Sequence, residues 1–182
     1  MKISLGRFAL ACLLLPAVAS AADAKLKLPE FRGLAEKATE SVNISLNPWL
    51  LRTMAAFMDE NDADEAATRK LLSGIKSIEV RNYEFAGDFA YSAADLDAVR
   101  KQLAGPGWSR LVQVHDTKKN EDVDVCLLIE DGHTNGFALI ASQPREFTII
   151  NIVGSFNIED LPRLESRLHL RNLSAAQTHL ML

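Results

Sequence analysis

The chain has 182 residues, a formal net charge of −4 and an apolar fraction of 48%. That is enough apolar material for a real core, and the acidic balance offers no electrostatic footprint for nucleic acid, whose binding rests on Lys and Arg neutralising phosphates. There are only two cysteines, Cys12 and Cys126. Once the leader described next has gone, no internal disulfide is possible.

Met1–Arg7 carries Lys2 and Arg7 and no acid. Phe8–Val18 is apolar around Pro16, and Ala19-Ser20-Ala21 has the small-x-small pattern a signal peptidase cuts. The apolar run is shorter than the roughly 20 residues a membrane span needs. Residues 1–21 are therefore expected to be a signal peptide cleaved after Ala21. Loss of Lys2 and Arg7 takes the net charge from −4 to −6. Cys12 sits in "ALAC" with "LLLPAVA" still to follow, a poor match to an acylated lipoprotein cysteine. No later segment has the length and apolarity of a membrane span. The expectation is an exported soluble domain, periplasmic if the source is Gram-negative.

Residues 22–29 form a lead-in, residues 30–172 an α+β domain, and residues 173–182 a loosely held tail. Phe31, Leu34, Ala35 and Ala38 have helical spacing. Asn47-Pro48 is a cap followed by a first-turn proline, opening the helix Pro48–Met58. Asp62 with Glu65, and Ser92 with Asp95, pair a cap with an acid three residues on and open two more helices. Gly74 and the "GPG" of Gly105–Gly107 close them. A last helix starts near Asp160 with the stripe Leu161, Leu164 and Leu168.

Ser77–Phe85 reads as a strand with a bulge near Arg81, where the alternation slips. Trp108–Asp116, Val123–Glu130, Phe137–Ser142 and Phe147–Val153 are four runs joined by the short turns "TKKNED", "DGHTNG" and "QPR". Short links make antiparallel neighbours. The expected fold class is α+β: an antiparallel sheet, with a four-strand C-terminal meander and one earlier strand, packed with several helices.

A first hairpin turning at Lys119-Asn120 would set Val114 opposite Val125, His115 opposite Asp124 and Gln113 opposite Cys126. A last hairpin turning at Pro144-Arg145 would set Ile140 opposite Ile149, Leu139 opposite Ile150 and Phe137 opposite Ile152. One face is then apolar nearly throughout. The other carries Ser109, Gln113, His115 and Asp124, but also Leu128, Phe137, Leu139, Ile150 and Ile152. Burying each large aliphatic side chain is worth roughly 1.5–3 kcal/mol, so that half needs a cover. The helix Pro48–Met58, apolar almost all round, is the simpler cover. A protein partner, or self-association through this apolar half of the sheet, is the other. Insertion of Trp49, Phe57 and Met58 into a membrane surface is disfavoured, since the helix lacks a Lys/Arg-rich face.

Chemistry is sparse. The run Asp59–Glu65 imitates a calcium loop, but Asp64 stands where glycine is required and Lys70 where the closing Glu belongs. It reads as linker and helix cap. His115, Asp124 and Cys126 would be neighbours on one face, as a Cys-His dyad or zinc ligands; an ordinary charge pair beside a small buried thiol is the plainer reading. Ser109, on the same strand as His115, would be about 20 Å from it and cannot complete a triad. Asn151, inside "IINIV", reads as a buried amide bonded to backbone. His133, His169 and His179 have no ligand-like neighbours in sequence, and glycine phosphate loops, GxSxG, HExxH and CxxC are absent. No catalytic, cofactor-binding or metal residue is assigned.

The segments "LPEFRGLAEKATESVNISL", "RNYEFAGDFAYSAADLDAVRKQL", "PGWSRLVQV", "DVDVCLLIEDG" and "REFTIINIVGSFNIEDL" together resemble the bacterial exported family called domain of unknown function 4252, from about Leu28 to Leu168. "GWSRLV" and Glu146–Gly154 are the most specific parts, and both are structural signatures. The resemblance implies a secreted or lipid-anchored envelope protein, in some members linked to extracytoplasmic stress signalling, and assigns no residue a role. The expected function is a non-enzymatic envelope module that binds a protein partner or regulates one. A small-ligand or metal-binding protein, or an unfamiliar hydrolase, is the alternative.

Overall fold

The computed structural model describes residues 23–91 and 93–163. The expected signal peptide, Ser92, Leu164, Leu168, His169, His179 and the tail lie outside the described residues. The elements run α1 (Arg32–Ala35), β1 (Glu40–Leu46), α2 (Pro48–Ala56), α3 (Ala63–Gly74), β2 (Ile75–Glu84), α4 (Ala93–Leu103), β3 (Trp108–Asp116), β4 (Glu121–Glu130), β5 (His133–Gln143) and β6 (Glu146–Gly154), followed by a short 3-10 turn at Ile158–Asp160. The fold is α+β, as expected. Its six-stranded sheet has the order β1-β2-β6-β5-β4-β3, every neighbouring pair antiparallel.

The helix starts follow the cap chemistry. Asn47 Oδ1 accepts from Leu50 N–H at 2.9 Å, and Asp62 Oδ1 accepts from Asp64 and Glu65 N–H at 2.9 and 3.0 Å. Glu65 reaches past the cap to take the Asp59 N–H at 2.7 Å, so the acidic run is occupied in building its own turn. The first helix is shorter than the spacing of Phe31–Ala38 suggests. Only Arg32–Ala35 is helical, while Phe31 and Leu34 are buried.

The sheet is apolar on both faces. On one, Ile78, Val80, Val125, Leu127, Phe137, Leu139, Ile150 and Ile152 pack beneath Leu51 and Ala55 of α2, Leu71 and Leu72 of α3, and Phe156 and Leu161. On the other, Tyr83, Cys126, Ile140, Phe147 and Ile149 pack beneath Leu26, Phe31 and Leu34 of the N-terminal segment and Leu96, Val99 and Leu103 of α4. The lead-in is thus a structural cover. Helix α2 does shield the half-sheet that needed a lid, and Phe137 and Ile152 are 1% and 0% exposed. The expected docking of a partner on that half is corrected accordingly: the chain's own helices occupy it.

Four expectations about strands change. A sixth strand, β1, adds to the five expected; its Val42, Ile44 and Leu46 alternate with polar residues, and most of its seven residues are exposed. Strand β2 has its irregularity between Ile75 and Ser77, not at Arg81. The slip in alternation at Arg81 marks a change of buried face instead: Ile78 and Val80 serve the helices, and Tyr83 serves the N-terminal cover.

The β3–β4 hairpin turns one residue earlier than proposed. Asp116 Oδ1 accepts from Lys118 and Lys119 N–H at 2.9 and 3.0 Å, and Asn120 takes a φ of 52°, closing the loop 117–120. Val112 therefore pairs with Val125, Gln113 with Asp124, and His115 with Asp122; Leu111 is an extra residue. The β5–β6 register is as expected, Ile140 opposite Ile149 and Leu139 opposite Ile150.

Between β4 and β5 the two-residue turn Asp131-Gly132, with φ values of 51° and 77°, is followed by an extra residue, Asn135. That single insertion sets Val125 opposite Leu139. Leu139 and Ile150 thus share a face with Val125, contrary to the expected sorting, because one residue of slip inverts every side chain beyond it.

Candidate functional site

Of the sequence candidates, His115, Asp124 and Cys126 do not assemble into a site. His115 Nδ1 lies 2.5 Å from Asp122 Oδ1, and its side chain is largely exposed. Asp124, two places further along β4 and opposite Gln113, is buried and held by two arginines. Arg100 Nε of α4 donates to Asp124 Oδ2 at 2.8 Å, and Arg110 Nε of β3 stands 3.3 Å from Oδ1. The arginines are the residues that sequence reasoning missed. The available signal was the carboxylate itself: a buried charge on a strand requires a cation. Burial pushes the Cys126 thiol above its ordinary pKa, with Arg110 opposing and the Asp124 charge adding. A protonated buried thiol is a poor nucleophile.

Asn151 is 1% exposed and fully committed. Its Oδ1 accepts from Leu26 N–H at 3.0 Å, and its Nδ2 donates to the Ala24 and Phe137 carbonyls at 3.1 and 3.2 Å. The amide thus behaves as a piece of strand edge to which the N-terminal segment pairs. Gln102 of α4 repeats the device on the other side of that segment, accepting from Lys27 N–H at 2.8 Å and donating to Lys27 O at 3.0 Å. Lys25 Nζ adds an ion pair with Glu79 at 3.2 Å. Asn82, also buried, donates to Glu146 Oε1 and Thr148 Oγ1 at 2.7 and 3.0 Å. Tyr91 Oη sits between the carbonyls of Gln143 and Glu146, 2.9 Å from the latter, and its pKa is raised by burial first and by Glu146 second.

His133 is exposed at the start of β5, beside a cleft shared with Lys70, Asp160 and Arg163; Arg163 pairs with Asp160 at 3.3 Å. Ser109 pairs with Leu127, away from any histidine. Among the described residues, no three His, Cys, Asp or Glu side chains converge as metal ligands, and no helix is long and apolar enough to cross a membrane. The large apolar side chains left in solvent on α2 are Trp49, 67% exposed, and Phe57 at its C-cap, 86% exposed.

Fold and side chains together define an antiparallel-sheet α+β domain whose buried polar groups serve its own architecture. The chain belongs to the family described as Domain of unknown function (DUF4252), which matches residues 35–164. No curated protein matches it. Among solved structures it is similar to one titled "Structure of crystal form III of TP0453", at 16% identity and a TM-score of 0.20. The similarity covers 73% of this chain and 51% of that one, so the chain spans about half of its length.

Proposed function

We propose that the chain is an exported envelope protein that acts by holding another protein, not by chemistry on a small substrate. The observation that carries this reading is the outer side of α2. Leu51 and Ala55 supply the core, while Trp49 and Phe57 stand in solvent. Aromatic residues of this kind are the usual anchors of protein interfaces. The buried polar groups support the reading from the other direction, since Asp124, Asn151 and Asn82 are each engaged by neighbouring chain. Export rests on the composition of residues 1–21, and cleavage after Ala21 would leave a short free end ahead of the segment that Asn151 clamps.

The test is crosslinking in the native envelope of the wild-type chain and of a Trp49→Ser/Phe57→Ser variant. Both side chains are exposed, so the variant should melt as the wild type does. Loss of a discrete crosslinked species in the variant supports the reading; an unchanged crosslinking pattern removes α2 as the contact. N-terminal sequencing of the envelope protein should begin at Ala22, and a full-length cytoplasmic chain would refute export.

A further inference from the structure

The sheet has two open edges, β1 and β3. An edge strand exposes unpaired N–H and C=O groups along one side and invites another strand unless something blocks it. Strand β3 is blocked. Its register breaks at Leu111, and Arg110, His115 and Asp116 lie along it. Strand β1 has none of these devices. It pairs with β2 without interruption from Glu40 to Leu46, contains no Pro, Lys or Arg, and carries its one charge at its first residue.

The sequence of that edge is self-complementary. Ser41-Val42-Asn43-Ile44-Ser45 has the same chemical order in both directions. Antiparallel pairing with an identical strand about Asn43 would set Val42 against Ile44 of the second copy and Ser41 against its Ser45. Asn43 would meet Asn43, and Glu40 would meet Leu46, so no like charges coincide. The faces agree as well. Ile44 and Leu46 already pack on the layer beneath α2 and α3, with Val42 37% exposed beside them. Pairing would therefore continue an apolar layer on one side of the sheet. The alternate residues Ser41, Asn43 and Ser45 would form a polar ladder on the other. Arg81 Nη1, donating to the Ile44 carbonyl at 3.2 Å and the Val80 carbonyl at 3.0 Å, ties the edge to its neighbour.

We infer that β1 is a dimerisation edge: it pairs with β1 of a second copy of this chain, joining two sheets into one across a two-fold axis at Asn43. A two-fold contact uses the same patch on both copies, which is the property a palindromic strand supplies. The inference rests on the β1 strand alone and stands whether or not the reading of α2 holds.

The two-fold makes the test specific, because residue 43 would face itself. The mature chain should sediment as a dimer. Asn43→Lys and Asn43→Asp should each weaken dimerisation about tenfold, since each sets like charges opposite one another. An equimolar mixture of the two should restore it through a Lys–Asp pair. Circular dichroism and melting of each variant check that the exposed strand still folds. A wild-type chain that stays monomeric at its highest soluble concentration overturns the inference. So does a dimer indifferent to both substitutions, a mixture that remains monomeric, or a dimer lost in Trp49→Ser but kept in Asn43→Lys.

Discussion

Gly154 lies backbone against backbone on Gly74, where α3 passes into β2 without a loop. The Gly74 carbonyl accepts from the Ser155 N–H at 3.0 Å, and a Cβ on Gly154 would stand 2.7 Å from Ile75 Cα and 2.8 Å from Lys76 N. Its φ of 138° is also one that L side chains rarely adopt. The final glycine of "NIVG" is therefore there because the closing strand crosses a helix–strand junction at bare-backbone distance. Gly154→Ala should destabilise the domain by about 2–5 kcal/mol, through overpacking and a strained backbone together. Urea unfolding measures it, and a loss under about 1 kcal/mol would mean the junction yields easily.

Asn151 should behave as the clasp of the N-terminal cover. Asn151→Ala leaves the Leu26 N–H and the Ala24 and Phe137 carbonyls without their partner, at a cost of about 2–4 kcal/mol. Because Leu26 and Phe31 lie over Tyr83 and Phe147, loosening the clasp should also speed proteolysis within residues 23–31. Protease digestion followed by mass spectrometry reads this directly. Unchanged cutting would show that Gln102 and the apolar contacts hold the segment unaided.

His115 and Asp124 should part company on substitution. His115→Ala, at an exposed pair, is expected to change stability by under about 0.5 kcal/mol. Asp124→Ala strands Arg100 and Arg110 beside an apolar face. Since both arginines are partly exposed, the expected cost is about 1–3 kcal/mol, below that of breaking a fully buried pair. Equal effects at the two positions would contradict the register in which His115 pairs with Asp122.

Alkali should weaken the fold through Tyr91 and Cys126. Burial is the leading cause that raises both folded-state pKa values, so the folded domain keeps protons that the unfolded chain gives up. Stability is then complete below the ordinary thiol and phenol values and falls as pH rises above them, from about pH 8.5 upward. The urea midpoint followed from pH 7 into that range should decline, and Tyr91→Phe should make the decline shallower. A flat profile would count against the buried setting of both groups.

Much of this architecture was legible in the residues themselves. Helix starts followed from Asn47-Pro48 and Asp62, and strand positions from runs between short polar turns. The β5–β6 register followed from isoleucine meeting isoleucine across "QPR". Strand β1 escaped because it is short and exposed, although Val42, Ile44 and Leu46 carried the alternation. The candidate trio escaped in the opposite sense. A turn centred one residue earlier moved the partner of His115 by two places, from Asp124 to Asp122.

By itself, then, the sequence determined most of the helix and strand positions, though not β1, because caps, turns and alternation act over a few residues. Only the tertiary structure decided which face each strand shows. With both faces of the sheet apolar, no polar contrast in the chain tells inside from outside, and one extra residue at Asn135 reverses the assignment. The same holds for the lead-in. Leu26 becomes core only because Asn151, 125 positions away along the chain, presents its amide to it.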